Sequence, residues 1–208
     1  MKIIIANGPP GSGKDTIIKG LRENLNIGKR PTDTLSYKLT LCQHVGERYG
    51  LTAATVWQMN DDRDVKDEPT PIFNGKSVRQ ALQYESEEVI KKKYGEQGVA
   101  KQTIIDLMEK WNGLPHDLVL FCADGGFNSE LDCVKDMLPI HPDDIFIIRM
   151  LRNGCSFDGD TREFLNNPNF IIENNGTMSL AIKLALAATQ PFINKTEIAW
   201  KPSSVVDL

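Results

Sequence analysis

GPPGSGKDT, residues 8–16, follows the apolar run Ile3-Ile4-Ile5-Ala6 and precedes the helix-compatible stretch Ile17-Ile18-Lys19-Gly20-Leu21. A strand, a glycine-rich turn and a helix start in that order make a phosphate-binding loop. The glycines let main-chain N–H groups approach an anion, and the first turn of the helix adds the positive end of its dipole. Gly8, Gly11 and Gly13 are each expected at positive φ. Lys14 supplies a point charge with the reach to touch β and γ phosphates. The spacing fits G-x-x-x-x-G-K, but Asp15 stands where Ser or Thr is usual, so the hydroxyl that would meet Mg²⁺ falls to Thr16. A carboxylate suits a helix N-terminus yet repels a phosphate, so Asp15 is expected to point away. Gly8, Gly11, Ser12, Gly13, Lys14, Asp15 and Thr16 are thus the candidate contacts for ATP and Mg²⁺.

A chain of 208 residues, 40% apolar and 25% charged, has room for one well-buried core. Its net charge of −4 argues against a protein that coats a nucleic acid polymer or a membrane, so an anionic small molecule must be held by a local cluster of cations. Cys42, Cys122, Cys133 and Cys155 form no C-x-x-C pair and do not alternate with histidine, which disfavours both a zinc site and a disulfide framework. Cys122 lies in an apolar strand and reads as a core residue. No stretch approaches transmembrane length, and Met1-Lys2 runs straight into a strand. A cytoplasmic protein is expected, whether or not it pairs as a homodimer.

Apolar runs typical of strands buried on both faces lie at 2–7, 118–123, 145–151 and 170–173, with helical stretches between most of them. That alternation indicates an α/β fold, a parallel sheet flanked by helices. Helices are expected at 14–24, 39–49, 78–92, 99–111, 129–138 and 177–189. The segment 60–76, DDRDVKDEPTPIFNGK after Asn60, is charged and broken by Pro69, Pro71 and Gly75, and should be an exposed connection. With few strand signals across 40–111, that stretch reads as a helical insert in a single domain.

Asp124 ends an apolar strand at its carboxyl end, where open α/β sheets bind ligands, and can orient a metal water or an acceptor group. Gly125-Gly126-Phe127 would let a ligand approach the backbone, and Glu130 follows in the next helix, either holding an arginine or matching the helix dipole. Lys76-Ser77-Val78-Arg79 opens a helix on which Arg79, Gln83 and Ser86 or Glu87 share a face, suiting Arg79 to a monophosphate and Gln83 to a base edge. A surface ion pair of Arg79 is the alternative. Arg149, Arg152 and Arg162 flank a glycine-containing loop and suit a lid over residues 150–165 that neutralises a transferred phosphoryl group. The turn Glu173-Asn174-Asn175-Gly176-Thr177 would sit beside a purine held by the first loop. His44, His116 and His141 are scattered and carry no assigned chemistry.

GPPGSGKDT, SVRQALQYESEEVIKKKYG, ADGGFNSEL and IIENNGT, in that order, resemble the bacteriophage deoxynucleoside monophosphate kinases and, more distantly, the nucleoside monophosphate kinases. The resemblance implies a P-loop kinase fold with a five-stranded parallel sheet, and transfer of the ATP γ-phosphate to a deoxynucleoside 5′-monophosphate with Mg²⁺. It implies donor phosphates on residues 8–16, Asp124 as the strand-end acid and metal-water residue with Thr16, Arg79 in the acceptor block, and Asn175 and Gly176 beside the donor adenine. Relatives often carry an arginine two residues after the strand-end acid. Here Gly126 stands there, which shifts the acceptor grip to Arg79, Arg63 or a lid arginine, with Gln83 and Phe127 nearby. A P-loop kinase with another small acceptor and a non-catalytic nucleotide-binding switch stay open as alternatives.

Overall fold

The computed structural model describes residues 1–195. Five parallel strands, β1 (Lys2–Asn7), β2 (Thr32–Thr34), β3 (Val119–Cys122), β4 (Ile145–Leu151) and β5 (Phe170–Glu173), form one sheet in the order β2-β3-β1-β4-β5. Side chains on a strand alternate between faces, and β1 shows the result. Ile3 and Ile5 join Leu118, Leu120, Ile145 and Ile147 on one face, while Ile4 and Ala6 join Val119, Phe121, Ile148 and Met150 on the other. Burial on both faces is why these strands read as unbroken apolar runs.

The second face is covered by α1 (Lys14–Asn24), through Ile17, Ile18 and Leu21, and by α8 (Met178–Asn194), through Ala181 and Ala185. The first is covered by α6 (Gly98–Trp111) and α7 (Asn128–Met137), through Ile104, Leu107, Leu131 and Val134. A third apolar cluster, with Cys42, Val45, Val56, Phe73 and Ala81, joins α2 (Tyr37–Tyr49), α3 (Ala53–Asp61) and α4 (Val78–Tyr84).

Several elements differ from expectation. β2 is a fifth strand that no apolar run announced, because Thr-Asp-Thr is an edge strand paired to β3 alone and half-buried throughout. α3 was not expected. Thr52 starts it by accepting the Thr55 N–H at 3.1 Å, and Val56 is its one buried residue. The connection 60–76 is not wholly exposed, since the 3₁₀ turn Pro71–Phe73 buries Phe73 completely, edge-on to Tyr49 at 5.1 Å. The single helix expected at 78–92 is interrupted after α4 by a π-helical turn, Glu85–Ile90, and resumes as α5 (Lys91–Tyr94). The wider turn carries Glu85 inward, where its buried carboxylate accepts two bonds from Arg48 at 2.6 and 3.2 Å. α8 runs past Pro191, and the main chain beyond it meets the buried Lys2 ammonium, which donates to Phe192 O at 2.6 Å and Lys195 O at 2.9 Å. Carbonyls at a helix end favour such a cation.

Candidate active site

The loop between β1 and α1 has the geometry of an anion cradle. Gly11 and Gly13 have φ of 79° and 95°, and a Cβ on Gly13 would meet Asn174 Nδ2 at 2.6 Å. Gly8 is a correction, because it is not at positive φ. Its constraint is space, since a Cβ there would lie 2.7 Å from the Met150 carbonyl oxygen and 2.8 Å from Ser12 Oγ. Two long-range bonds hold the loop's main chain, with Asn174 Nδ2 donating to Ser12 O at 2.8 Å and Arg152 Nη1 to Gly11 O at 3.0 Å.

Lys14, only 7% exposed, has its ammonium 3.4 Å from Pro9 O and 4.0 Å from the Asp15 carboxylate. Burial pulls its pKa below the ordinary lysine value, partly offset by Asp15 and then modulated by Arg162 and Asp124. Asp15 points outward, 74% exposed, and Thr16 is exposed beside it. Ser12 Oγ is buried and has no hydrogen-bond partner in the structure. An under-solvated ammonium and an orphaned hydroxyl in a nest of main-chain amides fit a polyphosphate.

Asp124 lies at the end of β3. Its Oδ2 accepts from Ser36 Oγ at 2.7 Å and from the Lys38 N–H at 2.8 Å, and Ser36 in turn caps α2 by accepting the Leu39 N–H. The strand-end acid therefore fixes where α2 begins. Glu130 holds no arginine. Its Oε2 accepts the Gly126 and Phe127 N–H groups at 3.0 and 3.2 Å, and burial pushes its pKa up to about 7, with the Asp124 charge adding to the effect against those two bonds. Phe127 sits under the Lys91 ammonium, 5.0 Å from its ring centre.

The arginine-bearing loop is stitched to this centre. Asn7 ends β1 and donates to Gly125 O at 3.1 Å and Glu163 O at 3.2 Å while accepting the Leu165 N–H at 2.9 Å. Glu163 N donates to Gly126 O at 2.9 Å. Arg162 is bound twice by Asp160, at 2.9 and 2.5 Å, which raises the arginine's pKa and lowers the aspartate's. Its aliphatic stem lies against Gly126, where a Cβ would come within 2.7 Å.

Two cavities flank the loop. One, of about 570 Å³, is lined by Pro9, Arg152, Asn153, Cys155, Arg162 and Asn175, among others. The second, of about 530 Å³, is lined by Asp15, Lys19, Arg22, Ser36, Lys38, Trp57 and Asp124, among others. Arg152, Arg162 and Asn175 thus share the first cavity, where Asn175 Oδ1 accepts the Asn153 N–H at 2.8 Å. Gly176 has open space around it and no positive φ, so nothing at that position requires glycine.

The other expected residues lie elsewhere. Arg149 lines neither cavity. Its Nη2 donates to Leu165 O at 2.7 Å, its guanidinium stacks on Phe164 at 4.9 Å, and its Nε is buried without a partner. Arg79 is half exposed and paired with Asp67 at 2.7 Å, and Gln83 and Arg63 are exposed, so the acceptor cluster expected at these three residues is not assembled. In their place the second cavity offers Arg22, Lys38 and Trp57, which sequence reasoning passed over, as it did Asn7 and Asn174. The visible signals were a lone amide ending an apolar strand for Asn7 and, for Trp57, a tryptophan in the short Ala53–Met59 stretch just ahead of the charged segment. Among the described residues no three His, Cys, Asp or Glu side chains gather as a metal cluster, and no helix is long and apolar enough to cross a membrane.

A glycine loop with its lysine between the central strand and the first helix, on a parallel sheet ordered β2-β3-β1-β4-β5, defines an α/β fold of the P-loop NTPase type. No protein-family model matches the chain, and no curated protein matches it. Among solved structures, a shikimate kinase from Acinetobacter baumannii in complex with shikimate is similar to it with a TM-score of 0.41 and 14% identity, over 93% of each chain.

Proposed function

We propose that the chain transfers the γ-phosphate of ATP to a nucleoside or deoxynucleoside 5′-monophosphate. The observation that carries this reading is the pair of cavities beside the loop, one lined by Arg162 and the other by Asp124, the two groups whose charges act on the buried Lys14 along with Asp15. Two ligands held in two cavities beside one loop suit an in-line transfer, in which positioning and charge neutralisation supply most of the rate.

The first cavity takes the donor. Residues 8–16 hold its phosphates through main-chain amides and Lys14, while Arg152 and Asn175 line the space for the rest of the nucleotide. The second cavity takes the acceptor, close to Asp124 and to the cations of α1. A monophosphate is already an anion at neutral pH, so no general base has to remove a proton from it. Asp124 then serves to seat α2 and to orient water, consistent with its bonds to Ser36 and Lys38. Arg162, whose aliphatic stem lies against Gly126, lines the first cavity with its guanidinium held by Asp160, and would meet the transferred phosphoryl group from that side. The Thr16 hydroxyl and Asp124 Oδ1, whose only bond among the described residues is the weak one from the Cys122 thiol at 3.6 Å, would hold Mg²⁺ or its water. When bound, Mg²⁺ neutralises charge on the phosphate oxygens.

The test is ADP release from ATP and Mg²⁺ against a panel of ribo- and deoxynucleoside 5′-monophosphates, with unphosphorylated hydroxy acids as comparison. Acceptor-dependent ADP release with at least one monophosphate is the expected result. Release with a hydroxy acid alone, or slow release indifferent to every acceptor, overturns the reading.

A further inference from the structure

The second cavity holds an arrangement that phosphoryl transfer by itself does not require. Trp57, half-buried on α3, lines it, and the Lys38 ammonium stands 3.9 Å from the centre of the indole ring. That is a direct cation–π contact. Lys19 and Arg22 line the same cavity from α1, and Arg22 Nη1 donates to Thr34 Oγ1 at 2.8 Å. Among the described residues no carboxylate pairs with Lys19, Arg22 or Lys38 at ion-pair distance. The cavity also carries Asp15, Glu23 and Asp124, yet Lys19, Arg22 and Lys38 have no ion-pair partner among them, and with Lys38 on the indole they suit a ligand that is anionic at one end and flat at the other.

Resting on the acceptor reading above, we infer that Trp57 is the platform on which the acceptor's base stacks, and that Lys38 occupies that face until the base arrives. Stacking a heteroaromatic ring and seating an ammonium use the same indole face, so the two exclude each other. The displaced ammonium finds a stronger partner in the acceptor phosphate, since attraction to a full charge exceeds attraction to a ring quadrupole. The Lys38 main chain does not have to move, because its N–H stays on Asp124 while the long side chain swings. A sugar acid or other hydroxy acid would satisfy the cations and leave the indole face unused, so the arrangement selects an aromatic phosphomonoester. A volume of about 530 Å³ lies within the range of small-molecule sites, about 300–1,000 Å³.

The experiment compares the full chain with Trp57→Ala, by calorimetry and by intrinsic fluorescence, using the four deoxynucleoside 5′-monophosphates and deoxyribose 5-phosphate, which has the phosphate and sugar but no base. Base stacking on an aromatic residue predicts about tenfold or more loss of nucleotide affinity in Trp57→Ala. Deoxyribose 5-phosphate should bind Trp57→Ala at least as tightly as the parent, since Lys38 no longer has to leave the ring, and Trp57→Phe should keep most of the nucleotide affinity. Fluorescence quenching by the nucleotide should vanish with Trp57. ATP affinity, measured in every variant, should be unchanged and reports that the loop is intact. Where Trp57→Ala does not fold, Trp57→Leu keeps the apolar bulk without the ring and gives the same comparison. Equal nucleotide affinity in parent and variant, or an equal loss for deoxyribose 5-phosphate, overturns the inference. If ATP binds and phosphate passes to a monophosphate whose KM is indifferent to Trp57, the inference fails alone. If no monophosphate binds at all, it falls together with the acceptor reading.

Discussion

Replacing Glu130 by Gln tests the electrostatics of the centre without touching its shape. The Glu130 carboxyl accepts two main-chain N–H groups of the Gly126-Phe127 turn, and burial raises its pKa from an ordinary 4.5 to about 7. Between those two values the folded chain keeps a proton that the unfolded chain has released. Stability therefore falls as pH rises across that window, and the full penalty is present above pH 7. At about 1.4 kcal/mol for each pH unit, the penalty is on the order of 3 kcal/mol. Glutamine offers the same acceptor oxygen to Gly126 and Phe127 but never ionises. Glu130→Gln should match the parent at pH 4 and become more stable as pH rises, by on the order of 3 kcal/mol at pH 8. Urea denaturation followed by far-ultraviolet circular dichroism at four pH values between 4 and 8 measures the difference, and urea is preferred because a denaturing salt would screen the charge. A stability difference that stays constant across the range would refute the reasoning, and so would a variant that is the weaker at pH 8.

Three further outcomes follow from the geometry. Lys14→Ala should lower acceptor-dependent ADP release by about 10²-fold or more, as for loss of a preorganised charge, and activity within a few fold of the parent would remove Lys14 from the chemistry. Gly8→Ala forces a methyl group against the Met150 carbonyl, which is main chain and cannot swing aside; it should cost about 1–3 kcal/mol, seen as a Tm lower by several degrees. Arg79→Ala breaks an exposed pair with Asp67, so stability should fall by less than about 1 kcal/mol and acceptor KM should change by no more than about twofold; a large rise in that KM would return Arg79 to the acceptor.

The parts legible in the sequence are those whose chemistry is local. Helix α1 follows from a glycine turn, a lysine and an apolar stripe, and its observed span, Lys14–Asn24, matches the expected one. β1 and β4 announce themselves as apolar runs because both faces are largely buried, while β5, an edge strand with Ile171 half exposed, is announced by Phe170-Ile171-Ile172 alone. β2 could not, since three polar residues pairing along one edge carry no periodicity. Phe73 sits among charged and proline residues that mark an exposed loop, yet the fold buries it against Tyr49. The same contrast holds in the site. The loop residues form one short string, whereas the cavities are closed by bonds between distant main-chain atoms, such as Asn174 to Ser12 O and Asn7 to Gly125 O. Trp57 and Lys38 meet only because α2 and α3 fold back on each other, and no spacing rule along the chain connects them to Asp124.

The position of β1 at the middle of the sheet also has a cost during synthesis. Ile3 pairs with Leu120 on one side and Ile145 on the other, so a fully buried strand is made well before either of its partners. At about 5–20 residues per second, its edges wait on the order of ten seconds for their partners to leave the ribosome. Nascent chains stalled before residue 145 should present that strand to chaperones, and the late arrival of β4 should set the moment at which the emerging chain becomes resistant to protease.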